Sequence, residues 1–426
     1  MIIHVVQPGE NIYSIAQGYG VSPQRLIFDN QITTSSSREL VVGQSLLILL
    51  PEITHSIKND ETLYSISNLY GVSVLDIVRN NPYLLDTILY PGENIIIKYQ
   101  DEKINNYELK VNGYAYPYID KNVLRESLLY LSDLSIFSYG FTTEGELIPP
   151  DDEELISMAK EFGVSPILVL TPLDENGKFN SYLVTVITSD VQVRKKLINN
   201  LLDTVKMKGY DGVDVDFEYI SPQDRDPYTN FVRELTDSMN AQGYRVSVAL
   251  APKSSSDQPG LLYEGIDYKG LGESSNSVLV MTYEWGYTYG PPMAVAPIDQ
   301  VIKVINYAVS QIPSKKVDMG IPNYGYDWPL PYVRGTTEAT VVGNIEAVEI
   351  AIKNNARIEL DRTSMSPYFY YSKKGISHVV WFEDVRSLES KFKIINTFNL
   401  RGIGYWNLMK PFRTNWLLLN YLFNIY

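Results

Sequence analysis

Asp211, Asp214, Asp216 and Glu218 fall within eight residues, separated only by Gly212, Val213, Val215 and Phe217. Side chains of a strand alternate faces with a period of two, so Val213, Val215 and Phe217 share one face and Asp214, Asp216 and Glu218 the other. The first face suits packing beneath helices. The second lines up three carboxyl groups which, poorly solvated and mutually repelling, keep at least one proton at neutral pH. A protonated acid beside an ionised one is equipped for acid/base work on a glycosidic bond. A calcium loop would need glycine and acidic residues spaced along a turn, not interleaved valine and phenylalanine. Glu218 comes last, nearest the open end of the strand, where it can protonate a leaving oxygen. Asp216 and Asp214 lie successively deeper. Asp211 is out of phase with the other three and is assigned a structural role at the strand's entrance.

Elements must hold that strand in place. A helical pattern at 191–208 precedes it and another at 227–242 follows. Beyond residue 106, eight short apolar runs recur at 111–116, 134–141, 167–170, 212–218, 245–250, 277–283, 316–321 and 402–406. Strand and helix alternating in this way predict an α/β fold, a parallel (β/α)8 TIM barrel over 107–426. The acids then lie at the C-terminal end of strand four, the face on which such barrels carry their chemistry. The interval between strands seven and eight exceeds what one helix needs. It holds a helical pattern at 345–354, β-rich stretches at 357–360, 368–372 and 378–382, and a helix near 387–399. A small α+β insertion over approximately 326–383, forming one wall of the cleft, is expected.

The first hundred residues repeat at an offset of 51, His4 to Ile15 matching His55 to Ile66, Tyr19 to Ser22 matching Tyr70 to Ser73, and Asn30 matching Asn81. Each unit reads as strand, helix, helix, strand, over 1–50 and 51–99, with helices beginning at 11–18 and 62–69. Cores this small lean on each other or on a neighbour. The polar segment 100–106 reads as the linker to the barrel.

Composition narrows the partners. The 426 residues carry a formal charge of −14 with pI near 4.8, which argues against nucleic acid. Any glycan must be recognised by hydrogen bonds and stacking, for which 33 tyrosines are suited. There is no cysteine, and His4, His55 and His378 are scattered, so neither a metal site nor a cofactor is expected. No apolar run has the length of a membrane span. The opening Met1 to Val6 lacks a basic segment and cleavage site, which predicts a protein made without conventional secretion.

Asp211-x-x-Asp214-x-Asp216-x-Glu218 resembles the DxxDxDxE signature of glycoside hydrolase family 18, the chitinase-like enzymes. The resemblance implies a substrate-assisted retaining mechanism in which the 2-acetamido oxygen attacks the anomeric carbon. Glu218 is then the acid/base, Asp216 orients the acetamido group, and Asp214 shares a proton with Asp216. Strand six ends Met281-Thr282-Tyr283-Glu284-Trp285, where relatives carry Met-x-Tyr-Asp. Tyr283 inherits the role of donor to the acetamido oxygen, and Glu284 departs from the family's Asp. Trp406, at the end of strand eight, matches the floor beneath the cleaved sugar. Met281, Asn323, Tyr324, Tyr116 and Trp285 are further substrate-binding candidates.

The two repeats resemble LysM modules, which bind glycans containing N-acetylglucosamine. That resemblance puts Gly9, Glu10, Asn11, Asn30 and Gln31 in one groove, and Asp60, Glu61, Thr62, Asn81 and Pro82 in the other. Two such modules before such a barrel resemble the N-acetylglucosaminidases that act on spore cortex peptidoglycan. This implies a monomeric spore protein, made in the mother cell and acting during germination. A chitinase and a catalytically inactive chitinase-like lectin are the rival readings; retention of Glu218, Asp216 and Tyr283 together counts against the lectin.

Overall fold

The computed structural model describes residues 1–32, 40–85, 87–101, 103 and 107–426; residues 102 and 104–106 of the expected linker lie outside them. Eight parallel strands close into a barrel: Glu108–Ala115, Asp133–Phe141, Ser165–Leu170, Gly212–Val215, Arg245–Leu250, Ser277–Val280, Val317–Pro322 and Gly402–Trp406. The first pairs with both the second and the eighth, which closes the ring. A short strand, Asn424–Ile425, pairs in parallel with the start of the first, at Glu108 and Leu109.

The fourth strand illustrates how local signals assemble. The helix Val191–Lys208 starts on Asp190, whose carboxylate accepts from the backbone of Gln192 and Val193, and ends at Gly209 in the left-handed conformation (φ 75°). The chain then turns into Gly212–Val215, followed by helix Arg225–Asn240. The strand expected at 212–218 stops at Val215, where its register partners are Leu170 and Val248. The third strand ends at Leu170, so only the Asp216 N–H still reaches it, donating to the Leu170 carbonyl at 2.9 Å. The alternation persists beyond the ladder: Phe217 is buried and stacked on Phe141, Tyr228 and Phe231. Strand six likewise ends at Val280 rather than at 283.

The insertion is a five-stranded antiparallel sheet in the order Thr340–Val342, Gly325–Leu330, Ile376–Trp381, Ser366–Lys373, Glu359–Asp361, covered by helix Asn344–Asn354. Its first two strands escape sequence reading. Gly325–Leu330 contains Pro329 and follows strand seven almost without a break, and Thr340–Val342 is only three residues long.

Both N-terminal units are βααβ. In the first, Ile2–Val5 pairs antiparallel with Ser45–Ile48 beneath helices Ile12–Tyr19 and Pro23–Asp29. In the second, Pro51–Ser56 pairs with Asn94–Tyr99 beneath Leu63–Tyr70 and Val74–Asn80. Neither stands apart. Leu47, Leu49, Val78, Ile96 and Tyr99 belong to the same continuous core as the barrel, and Val41 packs into the core of the inserted lobe. The buried Arg79 donates to the carbonyls of Leu129 (2.6 Å) and Ile425 (3.4 Å), and Tyr130 donates back to the Arg79 carbonyl. Arg413, between the barrel and the first unit, lies over the Phe28 ring at 3.8 Å and pairs with Glu126.

Candidate active site

Asp214 sits at the base of the site, its carboxylate accepting from Tyr114 Oη at 2.7 Å and Ser247 Oγ at 2.5 Å. Ser247 is its register partner on strand five. Burial raises the Asp214 pKa, and those two donors oppose the rise. One pleat higher, Asp216 is buried and its Oδ1 has no hydrogen-bond partner among the described residues. Its pKa stands well above the ordinary carboxylate range, from burial first and then from the charges of Glu218 and Asp214. Glu218 is half-buried at the mouth, and its pKa is raised by burial and by the charge of Glu284. The charges of Glu218 and Asp214 thus make Asp216 harder to ionise, and that of Glu284 does the same for Glu218 at the cleft.

Glu218 lines a cleft together with Pro252, Leu262, Tyr263, Met281, Tyr283, Glu284 and Trp285. Tyr283 is buried, and its ring lies where a Cβ on Gly320 would come within 2.6 Å, so strand seven needs glycine there. Glu284 adopts a left-handed backbone (φ 69°) and accepts from the hydroxyls of Tyr324 and Tyr326, the latter at 2.9 and 3.2 Å. Its side chain meets solvent in the cleft, yet the surrounding walls desolvate the carboxylate enough to raise its pKa against those two donors. Tyr326 belongs to the lobe's Gly325–Leu330 strand, so the insertion reaches the cleft through this hydroxyl.

Trp406 is half-buried, packed edge-on against Phe137 (5.0 Å), Tyr114 (5.7 Å) and Tyr116 (6.1 Å). Tyr116 in turn stacks on the exposed Tyr118. Asn323 is buried, and its amide nitrogen donates to the carbonyls of Asn407 and Lys410, holding the turn after Trp406. Tyr324 supports Glu284 through its hydroxyl. Asp211 is exposed, and its backbone, not its carboxylate, bonds to Pro166 and Arg245.

Residues 176–410 match the glycosyl hydrolases family 18 profile, and residues 4–49 and 55–98 match the LysM domain. The chain belongs to glycosyl hydrolase family 18. This family 18 enzyme is 42% identical over 302 residues to the cortical fragment-lytic enzyme of Bacillus subtilis, covering 71% of this chain and 70% of that one. It is 35% identical over 427 residues to the enzyme of the same name from Bacillus cereus, covering 98% and 97%. The crystal structure of the Bacillus cereus spore cortex-lytic enzyme SleL superposes with a TM-score of 0.84 at 34% identity, covering 100% of this chain and 98% of that one.

The LysM modules of this family 18 chain duplicate their internal bonding. His4 bridges Tyr19 (3.1 Å) and Glu10 (2.9 Å), and His55 bridges Tyr70 (3.1 Å) and Glu61 (2.7 Å). Glu10 and Glu61 also accept from the backbone of Gln7 and Lys58, so both carboxylates brace their own loops. Asn11 and Thr62 cap the first helix of each module. Asp60 takes the left-handed backbone (φ 65°) that Gly9 supplies in the first module (φ 87°), so the turn survives the loss of glycine. Asn30 and Asn81 are corrected from groove residues to internal pins: each is buried and both donates to and accepts from its module's closing strand, at Leu47 and Ile96. Gln31 accepts from the Arg413 backbone N–H through its Oε1, and Pro82 is buried. Gly9, Asn11, Asp60 and Thr62 remain exposed.

Tyr114, Ser247, Glu284, Tyr326 and Tyr263 are site residues that sequence reasoning did not assign. Tyr114 had a signal: it shares the inward phase of Tyr116 on strand one. Ser247 had none, since only the register of strands four and five brings it to Asp214.

No helix among the described residues is long and apolar enough to cross a membrane.

Proposed function

We propose that this enzyme cleaves β-1,4 bonds at N-acetylglucosamine in spore cortex peptidoglycan fragments by substrate-assisted, retaining catalysis. The observation that carries the mechanism is Asp216, a buried carboxyl with an unpartnered oxygen between Asp214 and the mouth residue Glu218. An acetamido N–H is the group that oxygen lacks, and Tyr283 supplies a donor for the acetamido oxygen as it attacks the anomeric carbon. As that bond forms, the glycosidic C–O bond breaks and Glu218 gives its proton to the leaving oxygen. Water then opens the cyclic intermediate, with Glu218 taking a proton back, so the anomeric configuration is retained. Trp406 offers an indole face beneath the reacting sugar, with Met281 and Trp285 on the wall.

The cortex assignment rests on relatives named for cortical fragments that match nearly the whole chain. It implies a spore location and germination as the setting. The exposed loop residues Gly9, Asn11, Asp60 and Thr62 are the glycan contacts we assign to the LysM modules. Digesting purified cortex fragments and chitin oligomers side by side, with mass spectrometry of the new reducing ends, tests the reading. N-acetylglucosamine at the new ends of cortex fragments is expected. Cleavage of chitin alone would replace the substrate while keeping the mechanism.

A further inference from the structure

Lys253 is 2% exposed, two residues past the hydrophobic Ala251 that follows strand five. Its ammonium makes no ion pair among the described residues. Instead its Nζ donates to three backbone carbonyls, Ser256 (3.3 Å), Tyr263 (3.2 Å) and Ile266 (3.0 Å). Burying an ammonium without a carboxylate is costly unless every proton finds an acceptor. Here all three acceptors lie on one loop, residues 254–266. Tyr268 fixes the base of the arrangement, donating to the Ala251 carbonyl at 2.6 Å and accepting from the Lys253 backbone at 3.0 Å.

That loop reaches the chemistry in two ways. Leu262 and Tyr263 form part of the cleft wall shared with Glu218. At its far end the loop packs so tightly on the chain after Glu218 that a Cβ on Gly265 would lie 2.1 Å from the Ile220 carbonyl oxygen. The ammonium gathers the loop from inside much as a bound cation would, and the loop abuts the catalytic segment.

We propose that Lys253 is a positioning residue: it fixes the wall formed by Leu262 and Tyr263 beside Glu218, against which the leaving sugar lies. The proposal rests on Glu218 being the acid, because the leaving sugar lies on the acid's side.

Lys253→Met removes the three donors at nearly constant length. With cortex oligosaccharides, KM should rise about tenfold while kcat stays within about threefold, the signature of lost uniform binding. Lys253→Arg should recover part of the KM. Leu262→Ala trims the wall itself without touching the buried cation or the chain after Glu218 and should raise KM in the same way, so the test survives a Lys253→Met variant that does not fold. Unchanged KM in Leu262→Ala or in folded Lys253→Met, or a fall in kcat at constant KM, overturns the proposal. Glu218→Gln, assayed alongside, keeps the two readings apart. Full activity there removes the acid assignment, whereas the KM split reports only on the loop.

Discussion

Glu218 and Glu284 line one cleft, and the charge of Glu284 adds to burial in raising the pKa of Glu218. Tyr324 and Tyr326 hold Glu284 there by their hydroxyls. The pair divides the work by environment. A general acid is useful only while protonated, and a neighbouring negative charge disfavours loss of its proton. Glu284→Gln keeps the length but removes the charge, so Glu218 should ionise at lower pH. The alkaline limb of the kcat/KM profile should then move toward acid. An alkaline limb at its original position would separate Glu284 from the acid.

Glu218→Gln is close to isosteric and cannot donate the proton. Turnover should fall by at least ~10²-fold, while binding of long glycans persists. Steady-state kinetics and equilibrium binding on the same oligosaccharide check both halves, and near-normal turnover would place the chemistry elsewhere.

The roles proposed for Asp216 and Tyr283 at the acetamido group call for a cyclised intermediate. A thiazoline analogue of N-acetylglucosamine should inhibit competitively, and NMR early in the reaction should show retained anomeric configuration. An inverted first product is incompatible with this arrangement.

Deleting residues 1–100 should do more than weaken glycan retention. Leu47, Leu49, Val78, Ile96 and Tyr99 are buried in the barrel's own core, and each such side chain is worth about 1.5–3 kcal/mol when fully buried. The truncated barrel should melt about 10 °C or more below the full chain, or fail to stay soluble. An unchanged Tm would mean that the modules are dispensable beads, and sedimentation with insoluble peptidoglycan would then measure their binding alone.

Asn81→Ala should destabilise by about 2–3 kcal/mol in denaturant unfolding, since it leaves the Ile77 and Ile96 carbonyls and the Ile96 N–H short of a partner inside the second module. A loss of glycan binding at unchanged stability would return Asn81 to the groove.

Much of this was local and therefore readable in the chain. The period-two alternation from Val213 to Glu218 separates a packing face from an acidic face whatever surrounds it, and the 51-residue repeat declares two copies of one unit. Eight apolar runs with helices between most of them give the barrel, because parallel strands need crossovers. What the chain alone left undecided depends on register and closure. Ser247 meets Asp214 only because strands four and five pair Ser247 with that residue, and Tyr114 arrives from strand one, across the barrel. Glu284 becomes a partner of Glu218 through a left-handed turn and two tyrosines on the segment just after strand seven. Asn30 and Asn81 keep their place in the repeat motif yet turn inward, since a buried amide can satisfy a closing strand on both edges. Residue type and spacing state which groups are available. Which of them share a cleft, and which of their protons stay on, follows from burial and neighbouring charge that exist only once the ring has closed.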